Sequence, residues 1–346
     1  MSAGILAIRP RNLGDVVLLT PALRALGRGH SDAELHVITD PPFAALVAAQ
    51  PGVTRVWTTP RSAGETLGLL ARLRARRWDW AIDFFGNPRT AFLAAACGAR
   101  RSAGYDLRGR GRAYRVRVPR GAERGGHREY AAATHVRLAV AAGGVADGVV
   151  PSLSLPAHAR ASAMQLLQHA GIREPQRAVG LVAAGSWPTK TWPEAHAALL
   201  ARLLRERGRE VLLLAGPGEE RVTRAITSLA PGLALLPPCD VPALAAVIER
   251  LGAVVGTDSG PRHLAVALGV PSYSWFGPTH PDNWTPEDPR HGYWRSPLPC
   301  AGCDRTRCPH WNCLPGLDPA EAGERVLVHL ERHERHASDF RPAAGA

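Results

Sequence analysis

Short runs of β-type apolar residues alternate along this chain with longer Ala-, Leu- and Arg-rich segments of helical period. That alternation is the pattern of parallel α/β sheets. In the first half the strands read 5–8, 35–39 and 80–84, with 115–118 as a fourth candidate. In the second half they read 178–183, 211–215, 233–236, 253–256 and 272–276. Connecting helices are expected over 41–49, 66–77, 157–170, 193–207 and 241–251. Two such blocks in succession, in a chain of 346 residues, predict two Rossmann-like domains facing each other across a cleft. The boundary falls where Pro151 and Pro156 bracket an extended stretch after the Gly-rich 141–148. The domains are then 1–150 and 151–330, with 331–346 the end of the last helix and a frayed tail. The Arg- and Gly-dense residues 98–128 read as a long basic loop over the cleft.

Charge narrows the partners. Residues 1–150 hold 22 Arg against 11 acids, whereas residues 151–346 hold 20 Lys+Arg against 19 acids, so nearly all of the net +12 sits in the first half. Such a field concentrates anionic partners: nucleic acid, an anionic membrane surface or a phosphorylated glycan. Nucleic acid fits least, because the basic segments lack interleaved aromatics and any recognisable reading element. Residues 1–10 show no basic segment leading into a hydrophobic one, and no apolar run approaches the roughly 20 residues that span a bilayer. The expected compartment is the cytoplasm. Of the 42 basic residues only Lys190 is a lysine. A compact ammonium retained in an Arg-saturated chain is a functional candidate.

Three strand-to-helix junctions carry the chemistry. In Arg9-Pro10-Arg11-Asn12-Leu13-Gly14-Asp15 a strand ends, a turn follows and a helix opens with Asp15 in its first turn. Ligands of open α/β sheets lie beyond the carboxyl ends of the strands, where a carboxylate can act as general base on a hydroxyl. An acidic N-cap explains Asp15 equally on spacing. Thr20-Pro21 reads as a second cap and first-turn proline, so the helix restarts or kinks there. In Gly185-Ser186-Trp187-Pro188-Thr189-Lys190, backbone amides, the Ser186 and Thr189 hydroxyls and the Lys190 ammonium can converge on a phosphate. The bland alternative is a surface loop with a solvated lysine. In Thr257-Asp258-Ser259-Gly260-Pro261-Arg262-His263 a helix opens with free N–H groups suited to a diphosphate, and His263 reaches the same ligand. There Asp258 can equally be a cap and His263 a packed polar side chain. Thr279 ends the next strand on the same edge, and Glu219 or Glu220, after another strand, can take a ribose diol or cap the following helix.

Cys300, Cys303, Cys308 and Cys313 fall within 14 residues. In a cytosolic chain this favours a tetrahedral thiolate site, most plausibly structural Zn²⁺, over disulfides, with reduced thiols as the alternative.

Together these segments resemble glycosyltransferase family 9, the ADP-heptose:lipopolysaccharide heptosyltransferase family, from about residue 4 to 330. Ile8-Arg9 through Leu13-Gly14-Asp15-Val16-Val17, Lys190-x-Trp192-Pro193, Asp258-Ser259-Gly260-Pro261-x-His263-Leu264-Ala265 and Phe276-Gly277-Pro278-Thr279 carry the resemblance, in order and at domain scale. The resemblance implies a GT-B fold and an inverting transfer that needs no catalytic metal or other cofactor. It makes Asp15 the base. It places Lys190, Asp258, Ser259, Gly260 and His263 around the donor diphosphate and sugar, with Thr279 in a donor-site signature, and Glu219, or by the local alignment Glu220, near the nucleoside; Ser186 and Thr189 join the donor site on the chemistry of their loop. It implies a nucleotide-sugar donor and an anionic glycan or glycolipid acceptor, met by Arg9, Arg11 and Asn12, with peripheral contact at the inner membrane surface. It also implies a C-terminal helix crossing back onto the N-terminal domain. Arg262 stands where Met is usual, and 98–128 has no clear counterpart. Two rivals are a nucleotide-sugar epimerase or hydrolase of the same fold, and a basic nucleic-acid-binding protein.

Overall fold

The computed structural model describes residues 4–121, 123–124 and 127–333. The tail expected to fray lies mostly outside them. The chain divides into two compact units, Met1–Ser154 and Leu155–Ala346. The connecting stretch belongs to the first unit, because Ser152 N–H donates to Thr20 Oγ1 at 3.2 Å and Ser154 N–H to Gln50 Oε1 at 3.1 Å.

In the first unit, β1 (Gly4–Ile8), α1 (Leu13–Leu18), α2 (Thr20–Gly29), β2 (Glu34–Thr39), α3 (Ala44–Ala48) and β3 (Val53–Thr58) come first. They are followed by α4 (Ala63–Arg74), β4 (Trp78–Asp83), α5 (Pro88–Ala96), β5 (Arg101–Tyr105), β6 (Val116–Val118), the hairpin β7 (Glu123–Arg124) and β8 (His127–Arg128), and α6 (Ala131–Ala141). The six-stranded sheet runs β3-β2-β1-β4-β5-β6, every pair parallel. Central strands are buried on both faces, which is why β1 reads as a continuous apolar run and β4 as one broken by Asp79 and closed by Asp83. Ile5, Ala7, Trp80 and Ile82 face a core shared with α2 and α6, while Leu6, Ile8, Trp78 and Ala81 face α4 and α5.

The second unit repeats the plan. Its elements are α7 (Ala157–His169), β9 (Val179–Val182), α8 (Glu194–Glu206), β10 (Val211–Leu213), α9 (Glu220–Leu229), β11 (Ala234–Leu235) and α10 (Val241–Arg250). Then come β12 (Ala253–Thr257), α11 (Gly260–Ala267), β13 (Ser272–Phe276), α12 (Pro281–Trp284), β14 (His291–Arg295) and α13 (Pro319–His333). The sheet order is β11-β10-β9-β12-β13-β14, again parallel. Strand order reverses beside β1 and again beside β9, the switch point where such sheets open a ligand crevice. The last helix, α13, packs its Ala322, Val326 and Leu330 into the core with α8 of its own unit. Among the described residues no helix is long and apolar enough to cross a membrane.

Several expectations need correction. The basic stretch 98–128 is not one long loop: it supplies β5, β6 and the β7–β8 hairpin. Arg101, Arg115 and Arg117 point outward while Ala103, Tyr105, Tyr114 and Val118 are buried, so Arg density hid the period-two pattern. The helix expected over 41–49 is a 3₁₀ turn, Pro41–Phe43, followed by one short α-helix. The helix expected over 66–77 begins at Ala63, because the Ser62 side chain accepts from Glu65 N–H, and ends at Arg74. Edge strands β3 and β14 were not foreseen.

Candidate active site

At the switch point of the second unit, β9 and β12 lie side by side and their exit loops meet. Gly256 permits this closeness: at φ +142° a side chain there would run into the Val182 carbonyl of the neighbouring strand. The strand delivers Asp258, which is 2% exposed. Its Oδ2 accepts from Lys190 Nζ at 2.8 Å and from Thr279 Oγ1 at 2.8 Å. His263 Nε2 stands 3.6 Å from Oδ1. Three strand-end loops, after β9, β12 and β13, thus share one carboxylate. Burial alone would raise the Asp258 carboxyl, but the Lys190 ammonium, the His263 contact and the Arg262 charge outweigh it and hold the group well below the ordinary range. Burial lowers His263, and although Asp258 pulls the other way, the Arg262 and Lys190 charges add to the lowering, so it is neutral near pH 7. Asp258 is therefore not a helix cap. Ser259 occupies that position on α11, and its side chain makes no capping bond.

These groups are arranged for an anion. The first turn of α11, Gly260 onward, presents N–H groups that no intrahelical acceptor satisfies. Ser259 Oγ and His263 Nδ1 are buried with no hydrogen-bond partner among the described residues. Lys190 Nζ also lies 5.3 Å from the Trp187 ring centroid. The buried Arg262 guanidinium donates to Trp284 O at 2.7 Å and Thr285 Oγ1 at 2.8 Å, and the Trp284 ring stands 5.9 Å from that of His263.

The remaining second-unit candidates are placed differently. Ser186 is exposed on the β9 loop. Thr189 is buried, and its hydroxyl donates to Arg305 O at 2.8 Å. Glu219, half-buried, accepts from Gly216 N–H at 2.9 Å, and burial raises its carboxyl. Glu220 is exposed and takes Gly218 N–H at 3.0 Å, so Glu219 is the one turned inward at the end of β10. The cysteines do not form the thiolate site expected of them. Cys300 and Cys303 are exposed, Cys308 and Cys313 half-exposed, and none is bridged. Among the described residues no three His, Cys, Asp or Glu side chains gather as a metal would require. The segment is instead stretched across two site loops, with Gly302 N–H bonded to Gly277 O at 2.9 Å and Asp304 N–H to Pro278 O at 2.7 Å.

In the first unit, the loop after β1 holds Arg11 and Asn12 at φ 62° and 49°, a left-handed pair of non-glycine residues. Arg11 N–H donates to Asp40 Oδ2 at 3.2 Å. Asp15 sits in the first turn of α1, and its carboxylate pairs with the buried Arg9 guanidinium. Asn12, not Asp15, is at the cap position. Arg9 stacks over Phe85 at 5.0 Å, and its Nε and Nη1 have no hydrogen-bond partner among the described residues. The helix does restart at Thr20, though the Thr20 hydroxyl donates back to Val17 O at 2.9 Å instead of capping α2.

One supporting residue was missed. Asp83, buried at the end of β4, accepts from Phe85 and Gly86 N–H, each at 2.9 Å, and from Tyr114 Oη at 2.6 Å. Burial raises its carboxyl despite these bonds. It fixes the turn that places Phe85 under Arg9. Asp-Phe-Phe-Gly directly after a strand was the signal that could have found it.

Residues 67–313 match the profile of glycosyltransferase family 9 (heptosyltransferase), more than half of the chain. The chain belongs to glycosyltransferase family 9. It is a glycosyltransferase. Lipopolysaccharide heptosyltransferase 1 of Pseudomonas aeruginosa is 29% identical over 95% of this chain and 92% of its own length. Lipopolysaccharide heptosyltransferase 3 of Escherichia coli is 25% identical over 79% of this chain and 83% of its own. Among solved structures, E. coli ADP-heptose lipopolysaccharide heptosyltransferase II superposes with a TM-score of 0.78 at 20% identity, covering 96% of this chain and 99% of that one. The two-sheet architecture is the GT-B fold.

Proposed function

We propose that the second unit of this family 9 enzyme holds the diphosphate of a nucleotide-sugar donor, with Asp15 of the first unit as the base that activates the acceptor. The observation that carries the reading is the Lys190–Asp258–Thr279 network beside the amide-rich start of α11, with Ser259 Oγ and His263 Nδ1 left for a ligand. Lys190 and the α11 amides neutralise charge that grows on the diphosphate as the bond from the anomeric carbon to phosphate oxygen breaks. The electron pair leaves with the nucleoside diphosphate. The acceptor oxygen attacks the opposite face of the sugar, its proton passing to the Asp15 carboxylate, and the anomeric configuration inverts. Protein groups meet the leaving-group charge, so no metal is assigned a step. Glu219 is assigned to the nucleoside.

The donor follows from the relatives. Two are lipopolysaccharide heptosyltransferases and the solved neighbour is an ADP-heptose lipopolysaccharide heptosyltransferase, so the donor proposed is ADP-heptose. The acceptor is a lipopolysaccharide-core or related anionic glycan. The 22 Arg against 11 acids of residues 1–150 suit such an anion, and suit work at the cytoplasmic face of an anionic membrane. Arg9, Arg11 and Asn12, the polar residues of the β1–α1 junction that leads into Asp15, are assigned to meet it. A thermal-shift screen of ADP-, GDP-, UDP- and dTDP-sugars tests the donor, and mass spectrometry of a deacylated inner-core acceptor after incubation with ADP-heptose tests transfer. Stabilisation by ADP-sugars and a one-heptose mass gain are expected. Donor consumed equally fast without acceptor would establish the hydrolase or epimerase reading instead.

A further inference from the structure

The catalytic reading leaves the cysteine-bearing segment unused, yet it is bonded to the donor site at five points. On the Lys190 loop, Thr189 Oγ1 donates to Arg305 O at 2.8 Å, Trp311 Nε1 donates to Thr189 O at 3.0 Å, and Trp192 Nε1 donates to Leu314 O at 3.2 Å. On the Thr279 loop, Gly302 N–H donates to Gly277 O at 2.9 Å and Asp304 N–H to Pro278 O at 2.7 Å. A side chain at Gly277 would meet Cys313 Sγ at 2.8 Å, so the two segments are in close contact there. Both residues that donate to Asp258 Oδ2 are therefore presented by loops braced against the same segment.

We infer that residues 300–314 act as a strut that aims Lys190 at the donor diphosphate, with Thr189 and Trp311 as its positioning residues. The Lys190 loop is fastened at its base, where Trp192 N–H returns to Ala183 O at 2.8 Å. Its tip is the 3₁₀ turn Pro188–Lys190. A turn of that length has few backbone bonds of its own: Lys190 N–H reaches Trp187 O at 3.0 Å and Thr191 N–H reaches Pro188 O at 3.2 Å, while Asp258 and the Trp187 ring hold only the far end of the Lys190 side chain. Thr189 makes up the difference. Its hydroxyl and its carbonyl are both taken by the strut, and the Lys190 backbone follows immediately. Thr189 was expected among the donor ligands, but its hydroxyl proton is committed to Arg305 O, so it acts on the donor through Lys190.

This inference rests on Lys190 contacting the diphosphate, and a double-mutant cycle separates the two claims. ADP affinity is measured by calorimetry on the full chain for Lys190→Ala, Thr189→Val, Thr189→Ser, Trp311→Phe and Lys190→Ala/Thr189→Val, with a melting curve for each. Thr189→Val and Trp311→Phe should each weaken ADP by about threefold to tenfold, the range one net hydrogen bond supports. Thr189→Ser should stay near wild type. Adding Thr189→Val to Lys190→Ala should cost nothing further. If Lys190→Ala leaves ADP affinity unchanged, the donor reading itself fails. If Lys190→Ala weakens ADP but Thr189→Val and Trp311→Phe do not, or if Thr189→Val weakens it equally without Lys190, the strut is wrong. Should Thr189→Val fail to fold, Trp311→Phe decides alone, because the half-buried position keeps an aromatic ring and loses the N–H donor, and its melting curve reports what packing goes with the smaller ring.

Discussion

Replacing Asp258 with asparagine keeps the size of the side chain and an oxygen for Thr279, and removes the charge that Lys190 faces at 2.8 Å. Breaking one partner of a buried pair costs about 3–5 kcal/mol when the other charge is trapped. Lys190 is not fully trapped, since its side chain retains 12% exposure against 2% for Asp258, so a loss near the lower bound, about 3 kcal/mol, is expected. For a unit of this size each kcal/mol moves the midpoint by about 2–4 °C, which places the Asp258→Asn transition roughly 6–12 °C below wild type. The pH dependence has a definite sign. The Asp258 carboxyl is depressed in the folded state, so its contribution is complete above the unfolded value near 4 and fades as pH falls below it. Scanning calorimetry at pH 7.5, with and without saturating ADP, is the assay. ADP should narrow the gap, because its phosphates supply the anion that Lys190 has lost. A variant that melts within a degree of wild type, with no difference in its response to ADP, would refute the reasoning.

Other perturbations have equally definite outcomes. Burial, with the His333 charge next, pushes His329 down to about 4, and burial with Arg262 pushes His291 down to about 3. Both are neutral in the fold while their unfolded forms protonate near 6.5, so stability is full above that pH and falls on acidification. His329 accounts for at most about 3 kcal/mol of this, and urea midpoints at pH 7.5 and 5 should converge partly in His329→Gln. Gly256→Ala forces a side chain against the Val182 carbonyl from a left-handed backbone, and should destabilise the second unit by about 3 kcal/mol or more, read as loss of its cooperative transition. Asn12→Gly relieves the φ of 49° and should raise the unfolding midpoint by an equivalent of about 1 kcal/mol, while turnover falls because the Asp15 turn is no longer held.

How much of this was legible depends on where each residue lies. Strands buried on both faces are the readable ones: β1, β9 and β12 announce themselves as apolar runs, and β4 does so in spite of Asp79 and Asp83. The edge strand β3 and the inner strand β5 do not: Val53–Thr58 exposes Thr54, Arg55 and Thr58, and Arg101–Tyr105 carries Arg, Ser and Gly, so both depend on a paired neighbour more than on their own propensity. The solitary lysine was readable because Arg elsewhere made it conspicuous. Its partner was readable only as a polar residue at a strand end, since the pairing with Asp258 spans 68 positions. The Thr189–Arg305 and Trp311–Thr189 bonds span 116 and 122 positions, and nothing local in either segment signals them. The cysteine spacing suggested a metal; among the described residues no such group is gathered, and what the spacing could not signal is that the backbone between the cysteines braces two loops.

The measurement that bears most directly on the whole account is single-turnover transfer by Asp15→Asn, with ADP affinity determined on the same preparation. The amide fills the same volume beside Arg9 but cannot take up the hydroxyl proton. Unchanged ADP binding together with a rate reduced by about a hundredfold or more is the predicted result. Turnover near that of the unaltered enzyme would contradict it and remove the base from the mechanism.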